Sequence, residues 1–222
     1  GSQASSAWSN IQSSKGNNNL DLAYSDFGTP NRVVGFASYK LNWLKHFSTN
    51  FVLVYTGYEQ GRYSYRYSND FNQDGISSDL IYVPKDVSEI TFVQNGAFTP
   101  AQQSAAFFSY VEQDKYLKAR KGQITERNGG RTPWSTTIDA KIVQNVGKNF
   151  QLTADIFNLT NLLNNEWGEM YFVSNSFNST SSVGLAKVSG ETFSFIKPTQ
   201  KPYSVDQINS KWQIQLGVRY NF

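Results

Sequence analysis

Apolar and polar positions alternate strictly along residues 211–222. Trp212, Ile214, Leu216, Val218, Tyr220 and Phe222 fall on even positions, while Lys211, Gln213, Gln215, Gly217, Arg219 and Asn221 fall on odd ones. Successive side chains of a strand point to opposite faces, so the segment predicts a strand with one apolar and one wet face. Its apolar face carries Trp at one end, Tyr and Phe at the other, and aliphatic residues between. That is the layout of a membrane β-barrel strand: a lipid-facing aliphatic band, aromatic girdles at both interfaces and a polar lumen face. A half-buried strand of a soluble sandwich alternates in the same way, so the segment alone leaves both readings open.

The alternation recurs. Val33, Gly35, Ala37, Tyr39, Leu41 and Trp43 oppose Arg32, Ser38, Lys40 and Asn42, with Val34, Phe36 and Leu44 blurring the second face. Ile138, Ala140 and Ile142 oppose Thr137, Asp139 and Lys141, and Leu152, Ala154 and Ile156 oppose Gln151, Thr153 and Asp155. Asp139, Lys141 and Asp155 suit a lumen wall rather than a lipid face. Strands are expected at about 31–44, 49–67, 134–144, 150–173 and 208–222. The connections near 44–49 and 145–149 are short, whereas those at about 68–133 and 174–207 are long, and residues 1–30 read as a further loop. Short and long links alternate, as short periplasmic turns and long extracellular loops do in outer-membrane barrels. The fold expectation is therefore all-β: antiparallel transmembrane β-barrel strands with long extracellular loops.

One loop carries a helix signal over about 100–121. Thr99 is the expected N-cap, with Pro100 at N1 and Gln102 at N3. Ala105, Phe108 and Val111 lie along one side, Lys118, Arg120 and Lys121 close the last turn, and Gly122 ends it.

Composition sharpens this picture. The chain has 222 residues, of which 39% are hydrophobic and 15% aromatic, with 13 Tyr and 16 Phe, a bias toward strands. Mean hydropathy is −0.49. No run approaches the ~18–20 apolar residues of a membrane helix, so a bilayer would be met by alternation alone. Cys is absent and His46 is the single histidine, which excludes disulfides, thiol chemistry and a His-based triad or metal site. The net charge of +3, with basic residues scattered, gives no reason to expect nucleic acid.

Candidate chemistry is sparse. The run Asp70-Phe71-Asn72-Gln73-Asp74-Gly75, with Asp79 beyond it, spaces oxygen ligands as a calcium loop does, making Asp70, Asn72, Asp74 and Asp79 a candidate Ca²⁺ site. Ile81 stands where an EF-hand needs a bidentate Glu, and an Asp/Asn/Gly turn is the competing reading. No cofactor is required. Asp70, Asp74, Asp79, Asp86 and Glu89 show no fixed acid/base spacing, so no enzymatic activity is expected. Arg127 and Arg131, with Lys121, could meet an anionic substrate or lipopolysaccharide phosphates, or simply form a solvated loop face. Asn158 and Asn161 read as a bulge or turn held by side-chain amides. Asn178 heads a glycosylation sequon, which would be disregarded in a bacterial protein.

Several segments in order carry a resemblance: Pro30-Asn31-Arg32-Val33-Val34-Gly35, Tyr63-Ser64-Tyr65, the Asp70 to Gly75 run, Asp79-Leu80-Ile81-Tyr82-Val83-Pro84, Tyr116-Leu117 with Arg127-Asn128, and Arg131-Thr132-Pro133-Trp134. Asp155-Ile156-Phe157-Asn158-Leu159-Thr160-Asn161 and the terminal Tyr220-Asn221-Phe222 complete it. Together they resemble the carboxyl-terminal barrel segment of an outer-membrane TonB-dependent receptor of the Oar-like group, whose members carry a carboxypeptidase-regulatory-like domain. The departures are Asn31 where His is usual and Lys121 where Arg is usual. The resemblance implies a fragment of a barrel of about 22 strands in the outer membrane of a Gram-negative bacterium, serving active nutrient uptake. The same resemblance implies that Tyr58, Tyr63, Tyr65, Tyr67 and Trp134, which stand near the loop bases, help contact substrate. It implies as partners outer-membrane lipid, the barrel-assembly machinery acting on Val218, Tyr220 and Phe222, TonB through a plug region, and a surface lipoprotein. No plug or TonB box is recognisable in this stretch. The readings that compete with it are a soluble or surface β-sandwich binding carbohydrate through a Ca²⁺ loop, and a passive porin or adhesin barrel.

Overall fold

The computed structural model describes residues 4–26, 28–176 and 179–222. Its principal strands are β1 (Arg32–Leu44), β2 (Phe47–Tyr58), β3 (Arg62–Tyr67), β4 (Thr91–Phe92), β5 (Gly130–Arg131), β6 (Ser135–Val146), β7 (Phe150–Phe157), β8 (Ser182–Ser189), β9 (Thr192–Phe195) and β10 (Gln213–Tyr220). Helices are α1 (Ala4–Ser9), α2 (Pro100–Gln113), α3 (Lys115–Ala119) and α4 (Leu159–Leu163). The fold is mostly β, and no helix among the described residues is long and apolar enough to cross a membrane. The chain forms two compact units: Thr29–Gln60, Thr132–Phe172 and Val205–Phe222 make a sheet unit, and Gly1–Gly28, Gly61–Arg131 and Val173–Ser204 make a long-loop unit.

The sheet unit is a five-stranded antiparallel sheet in the order β1-β2-β6-β7-β10. The period-two patterns account for the strands, and the two tight links are where the turn chemistry allows them. His46 takes a φ of 71° between β1 and β2, and Gly147 a φ of 65° between β6 and β7. Neighbouring strands pair in a register that keeps like faces together, the arrangement a one-residue slip would destroy. β1 and β10 are the two edges.

The long-loop unit is not the set of bare loops expected from the sequence. Its mixed sheet runs β4-β9-β8-β3-β5, with β3 and β8 parallel, β4 and β9 parallel, and β8 and β9 an antiparallel hairpin. α2 and α3 supply Phe107, Val111 and Leu117, all fully buried, to a core shared with Tyr63, Tyr65, Tyr67, Phe92, Val183, Leu185, Phe193 and Phe195. Phe107 meets Phe193 and Phe195 edge-on, with ring centroids 5.2 and 5.5 Å away. Burying each such side chain contributes roughly 1.5–3 kcal/mol, enough to give the loops a core of their own.

Several sequence expectations change in detail. The strand expected over 49–67 divides at Gly61, whose φ of 98° turns the chain out of β2, and β3 joins the other sheet. The one expected over 150–173 ends at Phe157, because Asn158 adopts a left-handed φ of 52° and caps α4. The last strand begins at Gln213 rather than 208, since Asp206 accepts from the Ile208 and Asn209 backbone N–H groups and holds a turn there. The capping box at Thr99 and Gln102 forms as expected. The helix over 100–121 breaks at Asp114, which is extended and accepts from the Leu117 N–H to cap α3. Its buried side is Gln103, Phe107 and Val111 rather than Ala105, Phe108 and Val111. Residues 1–30 contain α1, and Gln12, Ser13 and Asn17 are buried. Asn178 lies outside the described residues.

Candidate functional site

The register of the sheet unit sorts its side chains into two chemically distinct faces. On one face Ala37, Leu53, Ala140, Ile156 and Ile214 lie across the five strands in one row, and Tyr39, Phe51, Ile142, Ala154 and Leu216 in the next. None of these side chains is buried: Leu53 is 47% exposed and Leu216 77%, while Ala140, Ile142, Ala154 and Ile156 on the central strands are half-buried. A third row reads Leu41, Thr49, Gln144, Leu152 and Val218. Its two polar members satisfy one another, the Thr49 hydroxyl meeting Gln144 Oε1 at 2.5 Å while the Trp43 indole N–H donates to Thr49 at 2.7 Å. Polar groups on an otherwise apolar face are tolerable in this way because each has a partner.

Aromatic side chains collect at both ends of this face. At one end, Phe150 and Tyr220 approach with ring centroids 4.9 Å apart, and Phe222 meets Tyr220 at 5.2 Å. At the other end stand Tyr55, Trp134 and Trp212. Phe222 is ten positions beyond Trp212, about 34 Å along a strand, or roughly 26 Å for a strand tilted by ~40°, comparable with the ~25 Å apolar band of a membrane barrel.

The reverse face is largely polar, although Val34, Phe36, Val54 and Phe157 also lie on it. Ser38, Val52, Lys141, Asp155 and Gln215 form one row, and Asn42, Ser48, Asn145, Gln151 and Arg219 another. Lys141 Nζ lies 2.8 Å from Asp155 Oδ1, an ion pair between neighbouring strands. Gln151 donates to Asn145, which donates to Ser48, so amides and hydroxyls link three strands. At the end of β7, Asp139 Oδ1 accepts from the Asn158 backbone N–H.

The expected site residues distribute unevenly. Val218, Tyr220 and Phe222 lie open on the apolar face. Tyr63, Tyr65 and Tyr67, expected near substrate, are instead buried in the long-loop core, each at most 6% exposed. They alternate with Ser64 and Arg66, but this strand is covered on both sides, a situation that alternation alone does not disclose. Tyr65 donates to Asp114 Oδ2 at 2.6 Å. Burial pushes the Tyr63 hydroxyl up to about 12, with the neighbouring Tyr65 hydroxyl opposing and the Asp114 charge adding. The Tyr65 hydroxyl is raised further, chiefly by burial. Trp134 is exposed on the sheet unit, whereas Arg127 is half-buried and Arg131 exposed on the long-loop unit.

Asp70, Asn72, Asp74 and Asp79 do come together in one loop. Asp70 accepts from the Asp74 and Gly75 N–H groups, Asp74 from Ile76, and Asp79 Oδ2 from Phe71 and Asn72. Their oxygens thus hold backbone donors as an Asp/Asn-rich turn does. No group of three acidic, imidazole or thiol side chains converges as a metal site among the described residues.

The amide pair Asn158 and Asn161 is more central than its sequence setting indicates. Asn158 Nδ2 donates to the carbonyls of Gly168 and Ser210, and its Oδ1 accepts from Thr160 Oγ1 and the Asn161 N–H. Asn161 Nδ2 donates to Asn165 and Trp167, and its Oδ1 accepts from the Trp212 N–H where β10 begins. No family model, curated protein or solved structure matches the chain.

Proposed function

We propose that the five-stranded sheet is a segment of an outer-membrane β-barrel wall, and that the chain forms part of a TonB-dependent receptor of the Oar-like group. The observation that carries this reading is the open apolar face, continuous over five strands, backed by a polar face with its own ion pair and amide network. In water such a face would be a large uncompensated apolar surface. Against hydrocarbon it is the solvated state, with the aromatic ends at the two interfaces and the polar face toward a wet lumen. A soluble sandwich would seal the same side chains under a second sheet, and Leu216 at 77% exposure is not sealed.

The two edges of the sheet add to this. Lipid offers no hydrogen bonds to open strand edges, so in a membrane β1 and β10 must pair with further strands. The order and wording of the sequence segments favour a TonB-dependent receptor over a passive porin, and make active uptake of a nutrient the proposed activity of the whole protein, with no enzymatic step. In this reading the sheet contributes wall, the long-loop unit an extracellular element, and Val218, Tyr220 and Phe222 the contact with barrel-assembly machinery. Coupling to TonB belongs to a plug region rather than to any residue of this stretch.

The test is fractionation of the complete barrel protein that contains this segment, expressed in a Gram-negative host. It should sediment with outer membranes, require detergent for extraction, and migrate faster on SDS gels before boiling than after. Recovery as a monomer in detergent-free buffer would overturn the proposal.

A further inference from the structure

The long-loop unit contains a cavity of about 420 Å³, within the size range of small-molecule sites. Four rings line it. Tyr67 and Phe71 stack with centroids 4.4 Å apart and planes 15° from parallel, and Tyr82 and Phe193 contribute the others. Asp79, Glu89 and Glu191 add three carboxylates, and no Lys, Arg or His side chain lines the space. The sign is opposite to that of the whole chain, which carries +3.

Two of these carboxylates are positioned by the fold with capacity to spare. Asp79, only 4% exposed, uses Oδ2 to accept from the Phe71 and Asn72 N–H groups at 2.8 and 3.4 Å. Glu89 uses Oε2 to accept from the Tyr82 hydroxyl at 2.9 Å and the Lys85 N–H at 3.0 Å. Among the described residues neither Asp79 Oδ1 nor Glu89 Oε1 takes a hydrogen bond, and neither group has a cationic partner. Burial, the largest influence, raises the Asp79 carboxyl; the two N–H donors oppose this, and the Asp74 and Asp70 charges add to it. A buried carboxylate without a counter-ion is costly, and a bound cation relieves that cost. Aromatic faces attract cations and accept the flat apolar body that carries them.

We propose that this cavity binds an organic cation, an ammonium or guanidinium group on an apolar body, with the charge held between Asp79 and Glu89 and the body against Tyr67 and Phe71. The site lies wholly within the long-loop unit and does not depend on the membrane reading, which detergent extraction tests separately.

Calorimetric titration of the full chain with phenethylammonium at pH 7 tests it. Saturable binding is expected, at least tenfold tighter than for the neutral analogue 2-phenylethanol, with none for 3-phenylpropionate. Asp79→Asn and Glu89→Gln each keep an oxygen acceptor for the existing donors and should weaken binding at least tenfold. Glu191→Gln, at a position exposed like Glu89, should give a smaller loss with an unchanged melting temperature, which keeps the test decisive if Asp79→Asn fails to fold. Absence of binding, equal affinity for 2-phenylethanol, or unchanged affinity in both Glu89→Gln and Glu191→Gln would overturn the assignment.

Discussion

Trp134 lies directly over Gly57. A Cβ placed on Gly57 would come 2.7 Å from indole Cζ2 and 2.6 Å from the Tyr55 hydroxyl. The glycine is required by this close approach rather than by an unusual backbone conformation, and it seats two ring systems at one end of the apolar face. Gly57→Val should displace Trp134 and Tyr55 and cost about 1–3 kcal/mol, as overpacking does. Gly35, on the neighbouring edge strand, has open space where its Cβ would stand, and Gly35→Ala should be near neutral. Melting temperatures of the detergent-solubilised protein compare the two, and equal losses would contradict the seat.

The two faces of β10 provide a sharper contrast. Leu216 and Gln215 are adjacent in sequence, but Leu216 shares a row with Ile142 and Ala154, and Gln215 one with Lys141 and Asp155. If hydrocarbon covers the first face, Leu216→Arg should cost about 2–4 kcal/mol near mid-membrane, while Gln215→Arg faces water. Outer-membrane levels should fall sharply for Leu216→Arg and little for Gln215→Arg. A soluble surface would tolerate both, so equal levels would remove the basis for the lipid assignment.

Asn158 joins three segments of the sheet unit through one amide. Asn158→Ala leaves the Gly168 and Ser210 carbonyls without their donor in a site where Asn158 itself is 2% exposed, at about 1–3 kcal/mol for each buried group left unpaired. Asn158→Gly separates the two roles of the residue, since glycine adopts the φ of 52° without strain but offers no amide. The expected order of stability is wild type, then Gly, then Ala. Should the glycine variant match wild type in chemical denaturation, the backbone conformation and not the amide network would be the reason for Asn at this position.

How much of this was legible beforehand depends on how local the cause is. The five sheet strands were visible because period-two alternation is written within each segment, as in Ile138, Ala140 and Ile142. The Thr99 cap was visible because its partners are three residues apart. The breaks at Gly61, Asp114 and Asn158 depend on a single residue's backbone preference competing with a continuing pattern, and alternation on either side hides them. The burial of Tyr63, Tyr65 and Tyr67 was not legible, since it is produced by α2, β8 and β9, whose residues lie up to about 130 positions away. The cavity beside Tyr67 has the same origin: Phe71, Glu89 and Phe193 are unrelated in sequence and meet only when the long loops fold.

That burial has a measurable consequence at high pH. The Tyr63 hydroxyl has an ordinary value of 10.0 and is pushed up to about 12 when folded. Between those values the unfolded chain has lost the proton and the folded chain retains it, so stability falls as pH rises. The contribution is fully present below pH 10 and is lost as pH passes through about 12. A difference of that size corresponds to about 2–3 kcal/mol at 1.36 kcal/mol per pH unit. Tyr63→Phe retains the ring, which lies edge-on to Tyr65 at 5.5 Å, but removes the titrating group. Its denaturation midpoint should therefore decline less steeply than that of wild type between pH 10 and 12. The Tyr65 hydroxyl is raised chiefly by burial, which Tyr63→Phe leaves in place, while the variant removes the further rise that the Tyr63 charge adds. Parallel profiles for the two would mean that the Tyr63 hydroxyl ionises in the folded protein as it does in the unfolded one.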